Sequence, residues 1–464
     1  MSRRARVIAA LLLLVLAALG PRAIASSGLF GIAGHRATAP SPQIKHLIVV
    51  LQSDHSFDNY FGTRPDVDGI PGGVCEPVSR GSKTCVKPFL LTPDESRAGL
   101  NDSARSMGKA IDGGKMDGFV AAQHNPATGT TAMGYYDRST LGYYWALADH
   151  YTLFDHFFAS TPGGPLVNRL FAVAGQAGSA TDGTPPPNGV DVPTIFDELQ
   201  KAGLSWKFYV QNHPAAGPAD KGTQDRVPLF TMPRVLSNPA MASQIVDVEQ
   251  YYQDLQNGTL PIVSYVASSV DSESPPQSPD GGEAFVRSLL NALMQNNAWN
   301  TTAVLLTYDN SGGWYDHVAP PTLNPSAPGL PLTGTAQSLG LRVPAILIGP
   351  YARPGAVDHQ QLDFTSILRF IEQNWHLAPL TARDATAASI GSGLNMQQAP
   401  IPAHIVSAPS PAEAFVRPHV TVIYGLYLGA LAIVAMLVLA AIRSNRRMAG
   451  RSPVRAGVTA TSQI

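Results

Sequence analysis

Cysteine and charge are the scarce ingredients of this 464-residue chain. It has two cysteines, and charged side chains make up 14% of it, with a net charge of −1. No long basic or acidic run stands in its middle, so the electrostatic footprint of nucleic-acid binding is missing and that function is excluded. No histidine or further cysteine sits beside Cys75 and Cys85, which disfavours a thiolate metal site. They share one loop with the turn residues Pro77, Gly81 and Ser82 between them, and in an oxidising compartment a local disulfide is expected. Closing so small a ring would contribute about 2–3 kcal/mol by constraining the unfolded chain. No internal repeat is visible.

Apolar residues are plentiful. At 44% of the chain they can build a sizeable core, enough for one large or two ordinary domains. The 42 glycines and 39 prolines exceed average usage without reaching the level of disordered chains, which fits a fold with long structured loops.

Both ends point to export. Arg3, Arg4 and Arg6 precede an apolar run from Val7 to Leu19, and Ala23-Ile24-Ala25 offers a small-residue cleavage site. Residues 1–25 are therefore expected to be a signal peptide, with an uncleaved signal anchor as the alternative. Residues 26–42 and 399–419 have linker composition and bracket a domain over 43–398. Val420 to Ile442 is 23 residues without a charge, which as a helix would span about 34 Å. Arg443, Arg446, Arg447 and Arg451 follow it, so a transmembrane helix over 420–442 with a cytoplasmic tail over 443–464 is expected, the alternative being a buried core helix. The main domain would then be extracytoplasmic.

Within the domain, the apolar run ending at Leu51 has the length and β-branched content of a strand buried on both faces. Polar Ser53, Asp54, His55 and Asp58 follow at once, where open α/β sheets bind ligands. A polar loop that simply caps the strand would look the same. Thr302–Tyr308 is a second buried strand followed directly by Asp309 and Asn310, and an N-cap or turn role is the alternative to ligand duty for Asp309. Helices are expected over 193–203, 283–294 and from about 361 to 372, and strands over 205–210, 262–267 and 343–351. This alternation predicts an α/β layer fold.

Several of these stretches carry more than periodicity. Ile44 to Gly62, with Ser56-Phe57-Asp58 and Tyr60-Phe61-Gly62, resembles the first motif of the bacterial phosphoesterase family that includes phospholipases C and acid phosphatases. Asp112 to Val120, the Asn168-Arg169 pair, Glu273-Ser274-Pro275-Pro276, Thr307 to Val318 and Asp363-Phe364-Thr365-Ser366 are similar to later motifs of that family, in the same order. The resemblance covers roughly residues 44 to 383. It implies an alkaline-phosphatase-like α/β/α sandwich with a largely parallel central sheet and a divalent-metal phosphoesterase site, acting on a phosphate ester or phospholipid.

Position by position, the family's ligands and nucleophile are depleted here. Its metal-binding Glu-Asn pair falls on Ser53-Asp54, its nucleophilic threonine on Pro165, a metal-binding glutamate on Asn310, and two histidines on Ser274 and Phe364. What the resemblance leaves is a metal set of Asp54, Asp309 and Asn310, holding a divalent cation of unspecified identity, weakly or not at all. It also leaves catalytic candidates Asn168, Arg169, His317 and Thr161, and substrate-binding candidates Ser53 and Asp316. Ser160 and Ser56 are further stand-ins for the lost hydroxyl. Three readings follow: a divergent hydrolase with a shifted nucleophile, a non-catalytic relative that keeps the fold as a binding surface, and a structural cell-envelope protein.

Overall fold

In the computed structural model, the described residues are 44–92, 98–123, 125–181, 185–213, 221–323, 338–405 and Met436. The expected signal peptide, and the expected membrane span apart from Met436, lie outside them. Among the described residues no helix is long and apolar enough to cross a membrane.

The centre is an eight-stranded sheet. Its strands are β1 (His46–Gln52), β2 (Thr152–Phe154), β3 (Trp206–Val210), β4 (Ile245–Asp247), β5 (Val263–Ala267), β6 (Thr302–Tyr308), β7 (Ala345–Ile348) and β8 (Val357–Asp358). They lie in the order β8-β2-β7-β6-β1-β5-β3-β4. Only β7 runs against its neighbours β6 and β2; every other pairing is parallel. Strands β1 and β6 read in sequence as continuous apolar runs because both of their faces are covered.

The covering helices used below are α1 (Phe57–Phe61), α2 (Ala104–Ile111), α3 (Gly142–His150), α4 (Pro165–Ala174), α5 (Ile195–Lys201), α6 (Glu249–Asn257), α7 (Pro279–Met294) and α8 (Thr365–Trp375). Neighbouring residues of one strand show the two layers. Phe208 pairs with Tyr265 and both rings meet Phe196 of α5, while Tyr265 Oη donates to the Ala172 carbonyl of α4. Tyr209, next along β3, points the other way and donates to Asp254 of α6. Helix α4 packs with α5 and α8, and α7 packs with α6 and α3. This is the expected α/β sandwich with a mostly parallel sheet.

The expected elements are found with small shifts in their ends. The run over 343–351 narrows to β7 and is antiparallel, and β2, β4 and β8 join the sheet as short strands beyond those expected. Cys75 and Cys85 are bonded to each other, with a Cα–Cα distance of 5.3 Å. The bond lies beside a two-residue hairpin pairing of Glu76–Pro77 with Cys85–Val86.

Candidate active site

Parallel pairing of β1 with β6 brings Gln52 opposite Tyr308, so the residues that follow, Ser53-Asp54 and Asp309-Asn310, emerge side by side at the carboxyl ends of two central strands. Asp309 is fully buried. Its Oδ2 accepts from Arg169 Nε at 2.8 Å and from Ser53 Oγ at 3.0 Å, and its Oδ1 accepts from the Asp54 N–H at 3.2 Å. Arg169 Nη2 donates to the carbonyls of Leu51 and Gln52 and to Ser53 Oγ, and its Nη1 to the Arg226 carbonyl. The guanidinium thus stitches the ends of β1 and β6 together, and Ser53, expected at the substrate, is enclosed in this network.

Asp54 adopts φ +66°, a left-handed conformation open to aspartate. The neighbouring turn demands glycine: Gly312 has φ +59°, and a Cβ there would lie 2.3 Å from the Asp54 carbonyl oxygen. Ser274 Oγ donates to Asp54 Oδ2, whereas Asp54 Oδ1 is inaccessible and has no hydrogen-bond partner. Burial, then the charges of Asp309 and Asp102, push the Asp54 carboxyl well above the usual carboxylate range; Ser274 and Arg169 oppose this. Asp102 itself accepts from Asn310 Nδ2 at 3.0 Å.

An orphaned buried oxygen among three carboxylates and an amide fits a hard divalent cation with oxygen ligands. Arg169 already neutralises one charge of the set, so the fit is to a weakly held ion. The two groups in which carboxylate and imidazole donors gather within 4.8 Å lie elsewhere among the described residues: Asp58, Asp316 and His317, and Asp155, His156 and His359.

A narrow crevice of about 10 Å³ lies beside this centre, lined by Asp102, Thr161, Gly163, Asn310, Ser311 and neighbouring apolar side chains. Thr161 reaches it from the loop before α4. Pro165 occupies the first position of that helix, behind Gly164 as N-cap, where its fixed φ and missing N–H are tolerated. Asn168 is fully buried and staples the loop. Its Oδ1 accepts from the Thr161 N–H at 3.0 Å, and its Nδ2 donates to the carbonyls of Thr161, Gly163 and Gly164. The other two candidate hydroxyls are buried and engaged: Ser160 Oγ donates to Asp363, and Ser56 Oγ donates to the Tyr315 carbonyl at 2.6 Å.

Asp316 and His317 form a separate network. Arg342 donates from Nε to Asp316 Oδ1 at 2.9 Å and from Nη2 to Asp58 Oδ1 at 3.0 Å. His317 Nδ1 lies 2.7 Å from Asp58 Oδ2 and its Nε2 3.1 Å from Asp68 Oδ1. Burial would lower the His317 pKa, but Asp58 and Asp316 hold it above its ordinary value. The guanidinium sits between the two aspartates, where a metal ion would have to go. His55 is likewise internal. It stacks near Tyr60 and Trp314, bonds to Asn59 and the Glu273 carbonyl, and is pushed by burial down to about 4, hence neutral.

Beneath the strand ends Glu273 is caged. Its carboxyl accepts from the hydroxyls of Tyr60, Tyr144 and Tyr308 and, at 2.9 Å, from Gln52 Nε2. Burial raises it to about 7 against these four donors. Sequence reading did not single out Glu273, Asp102 or Arg342. The glutamate had a signal, since it opens the Glu273-Ser274-Pro275-Pro276 motif; the other two had none.

A mostly parallel sheet covered by helices on both faces, with an acidic cluster at the carboxyl ends of its central strands, defines an α/β protein whose candidate site lies at the strand ends. The chain belongs to the Phosphoesterase family, whose model matches residues 44–378. It is similar to the non-hemolytic phospholipase C of Burkholderia pseudomallei, 29% identical over 405 residues that cover 74% of this chain and 57% of that protein. It is also similar to phospholipase C B of Mycobacterium tuberculosis, 29% identical over 428 residues covering 77% and 79%, and to non-specific phospholipase C1 of Arabidopsis thaliana, 26% identical over 396 residues covering 77% and 72%. The chain thus spans little more than half the length of the Burkholderia relative. Among solved structures, a Vibrio parahaemolyticus protein of the alkaline phosphatase superfamily aligns with a TM-score of 0.36 at 12% identity, covering 74% of this chain and 69% of that one. A phosphonate monoester hydrolase of Agrobacterium radiobacter aligns with a TM-score of 0.38 at 9% identity, covering 75% and 77%.

Proposed function

We propose that the chain is a phosphate-ester hydrolase of the phospholipase C type, with its main domain outside the plasma membrane and held there by a helix over 420–442. The observation that carries the chemistry is the meeting of Asp54, Asp102 and Asn310 beside a narrow crevice that Thr161 also lines. Thr161 is the candidate hydroxyl that faces this space, and it takes the nucleophile's role that Pro165 cannot fill. Asp54, Asp309 and Asn310 would hold a divalent cation, which when bound supplies positive charge to the phosphoryl oxygens. Asn168 and Arg169 act as positioning residues, the first fixing the Thr161 loop and the second the strand ends.

The second reading, a non-catalytic relative, is favoured by Pro165 and by the internal neutralisation of Asp309 by Arg169. Hydrolysis of p-nitrophenylphosphorylcholine and of a phosphomonoester, with and without chelator, separates the two. Diester hydrolysis that falls with chelator and with Thr161→Ala supports the hydrolase. No hydrolysis of either ester at any divalent-metal concentration establishes the binding reading.

A further inference from the structure

Strands β2 and β8 pair in parallel with Leu153 opposite Val357 and Phe154 opposite Asp358, so the next residues, Asp155 and His359, are set side by side at the sheet's carboxyl rim. The Asp155 carboxylate is fully buried. His359 Nδ1 lies 2.8 Å from its Oδ2 and 2.9 Å from its Oδ1, and His156 Nδ1 lies 2.9 Å from Oδ1. Two imidazoles and a carboxylate therefore converge from two elements on one point, and the His359 side chain is 63% exposed, which leaves that point open to solvent.

The other side of this group is also built. Asp68 Oδ2 lies 3.4 Å from His156 Nε2, the nitrogen that faces away from Asp155, and the Asp68 N–H donates to Asp155 Oδ2 at 2.9 Å. A carboxylate behind a histidine whose other nitrogen faces a shared centre is the arrangement that fixes the tautomer of a metal-ligating imidazole. In a tetrahedral zinc site with bonds of about 2.0–2.1 Å, neighbouring donors stand roughly 3.3 Å apart. Each imidazole nitrogen stands 2.8–2.9 Å from an Asp155 oxygen, so it has to part from that oxygen by only a few tenths of an ångström, and all three donors already lie within 4.8 Å of one another.

We infer that Asp155, His156 and His359 form a binding site for a divalent transition-metal ion such as Zn²⁺. Asp68 orients His156 from behind, and the fourth coordination position is open to water or an anionic oxygen. The site shares no residue with the Asp54–Asp309 centre. It differs from it chemically: two nitrogens and one oxygen against an all-oxygen set, so zinc or cobalt is preferred here and magnesium or calcium there. Bound metal would tie together the loop at Asp68, the end of β2 and the edge strand β8.

The test is metal binding by the full-length protein, with Zn²⁺ alone as ligand and Co²⁺ as spectroscopic probe. One zinc per chain is expected, with a tetrahedral cobalt spectrum that persists in Asp54→Asn. His359→Ala, which alters a mostly exposed side chain, and His156→Ala should each abolish that spectrum. They should weaken zinc by more than the roughly 10–100-fold expected for the outer residue in Asp68→Ala. No zinc bound at micromolar free metal, or zinc and cobalt binding unchanged in His156→Ala with His359→Ala, would overturn the proposal. Circular dichroism of each variant separates loss of metal from loss of fold.

Discussion

Arg169 Nε stands 2.8 Å from Asp309 Oδ2, and both side chains are sealed from solvent. The pair joins the residue that follows a central strand to a helix on one face of the sheet. Removing one partner leaves the other charge buried and unmatched, which costs far more than an exposed ion pair is worth.

Arg169→Met is therefore expected to destabilise the domain by about 3–5 kcal/mol. Asp309→Asn should cost a comparable amount, because it leaves the buried guanidinium of Arg169 without its counter-charge. Urea unfolding with both single variants and the double variant measures the coupling. A sum of single costs equal to that of the double variant would show that the two residues act independently.

Glu273 gives a pH signature. Its folded value of about 7 lies above the ordinary 4.5, so the folded state binds the proton more tightly. The contribution is full below about pH 4.5 and is lost as pH rises through 7, on the order of 3 kcal/mol in total. Glu273→Gln removes this titration and should lessen the fall in stability across that window, leaving the part due to other raised carboxyls such as Glu76 and Asp316. Unfolding curves at pH 4.5 and 7.5 for wild type and variant decide it; an unchanged slope would place the titration on another group.

Pro165→Thr returns a hydroxyl and an N–H to the start of α4. Losing the preset φ should cost about 0.4–1 kcal/mol, so the variant folds. Phosphodiester turnover is expected to rise at least about tenfold, a barrier change of 1.4 kcal/mol. Turnover unchanged in Pro165→Thr but lost in Thr161→Ala would show that the working hydroxyl has moved permanently.

The bond between Cys75 and Cys85 predicts no free thiol when the unreduced protein is unfolded and labelled. Replacing both cysteines by serine should lower stability by about 2–3 kcal/mol. An equal melting temperature with and without reductant would limit the bond to ordering its own loop.

Protease added to intact cells tests the proposed topology. The large domain should be degraded while a tag after Ile464 survives. A protected domain would reverse the assigned side.

The parts of this fold that were legible in the sequence are the parts whose meaning is local. β1 and β6 are unbroken apolar runs, and Asp54 and Asp309 follow them at once, so the rim of the sheet could be read before any pairing was known. The two- and three-residue strands β8 and β2 carry no period, and their pairing depends on neighbours about 200 residues away. The reversed direction of β7 follows from chain path rather than composition. Arg342 illustrates the same limit in the site. It is an unremarked residue in Leu341-Arg342-Val343, and its function is set by Asp58 and Asp316, which only the fold brings to it. Asn168 was legible as part of a motif, but its commitment to the Thr161 loop was not, because that depends on where three carbonyls point.

All strands but β7 share one direction, so Asp54 and Asp309 after β1 and β6, and Asp155 and His359 after β2 and β8, open on a single rim. In the strand order, β1 and β2 are three spacings apart, roughly 14–15 Å at about 4.8 Å each. The two centres differ in access: Asp309 is sealed from solvent, whereas the His359 side chain is 63% exposed. The polarity of the sheet thus sets a closed acidic centre and an open imidazole pair on one edge, so a solute from bulk water meets the second directly and reaches the first only if the strand-end loops part.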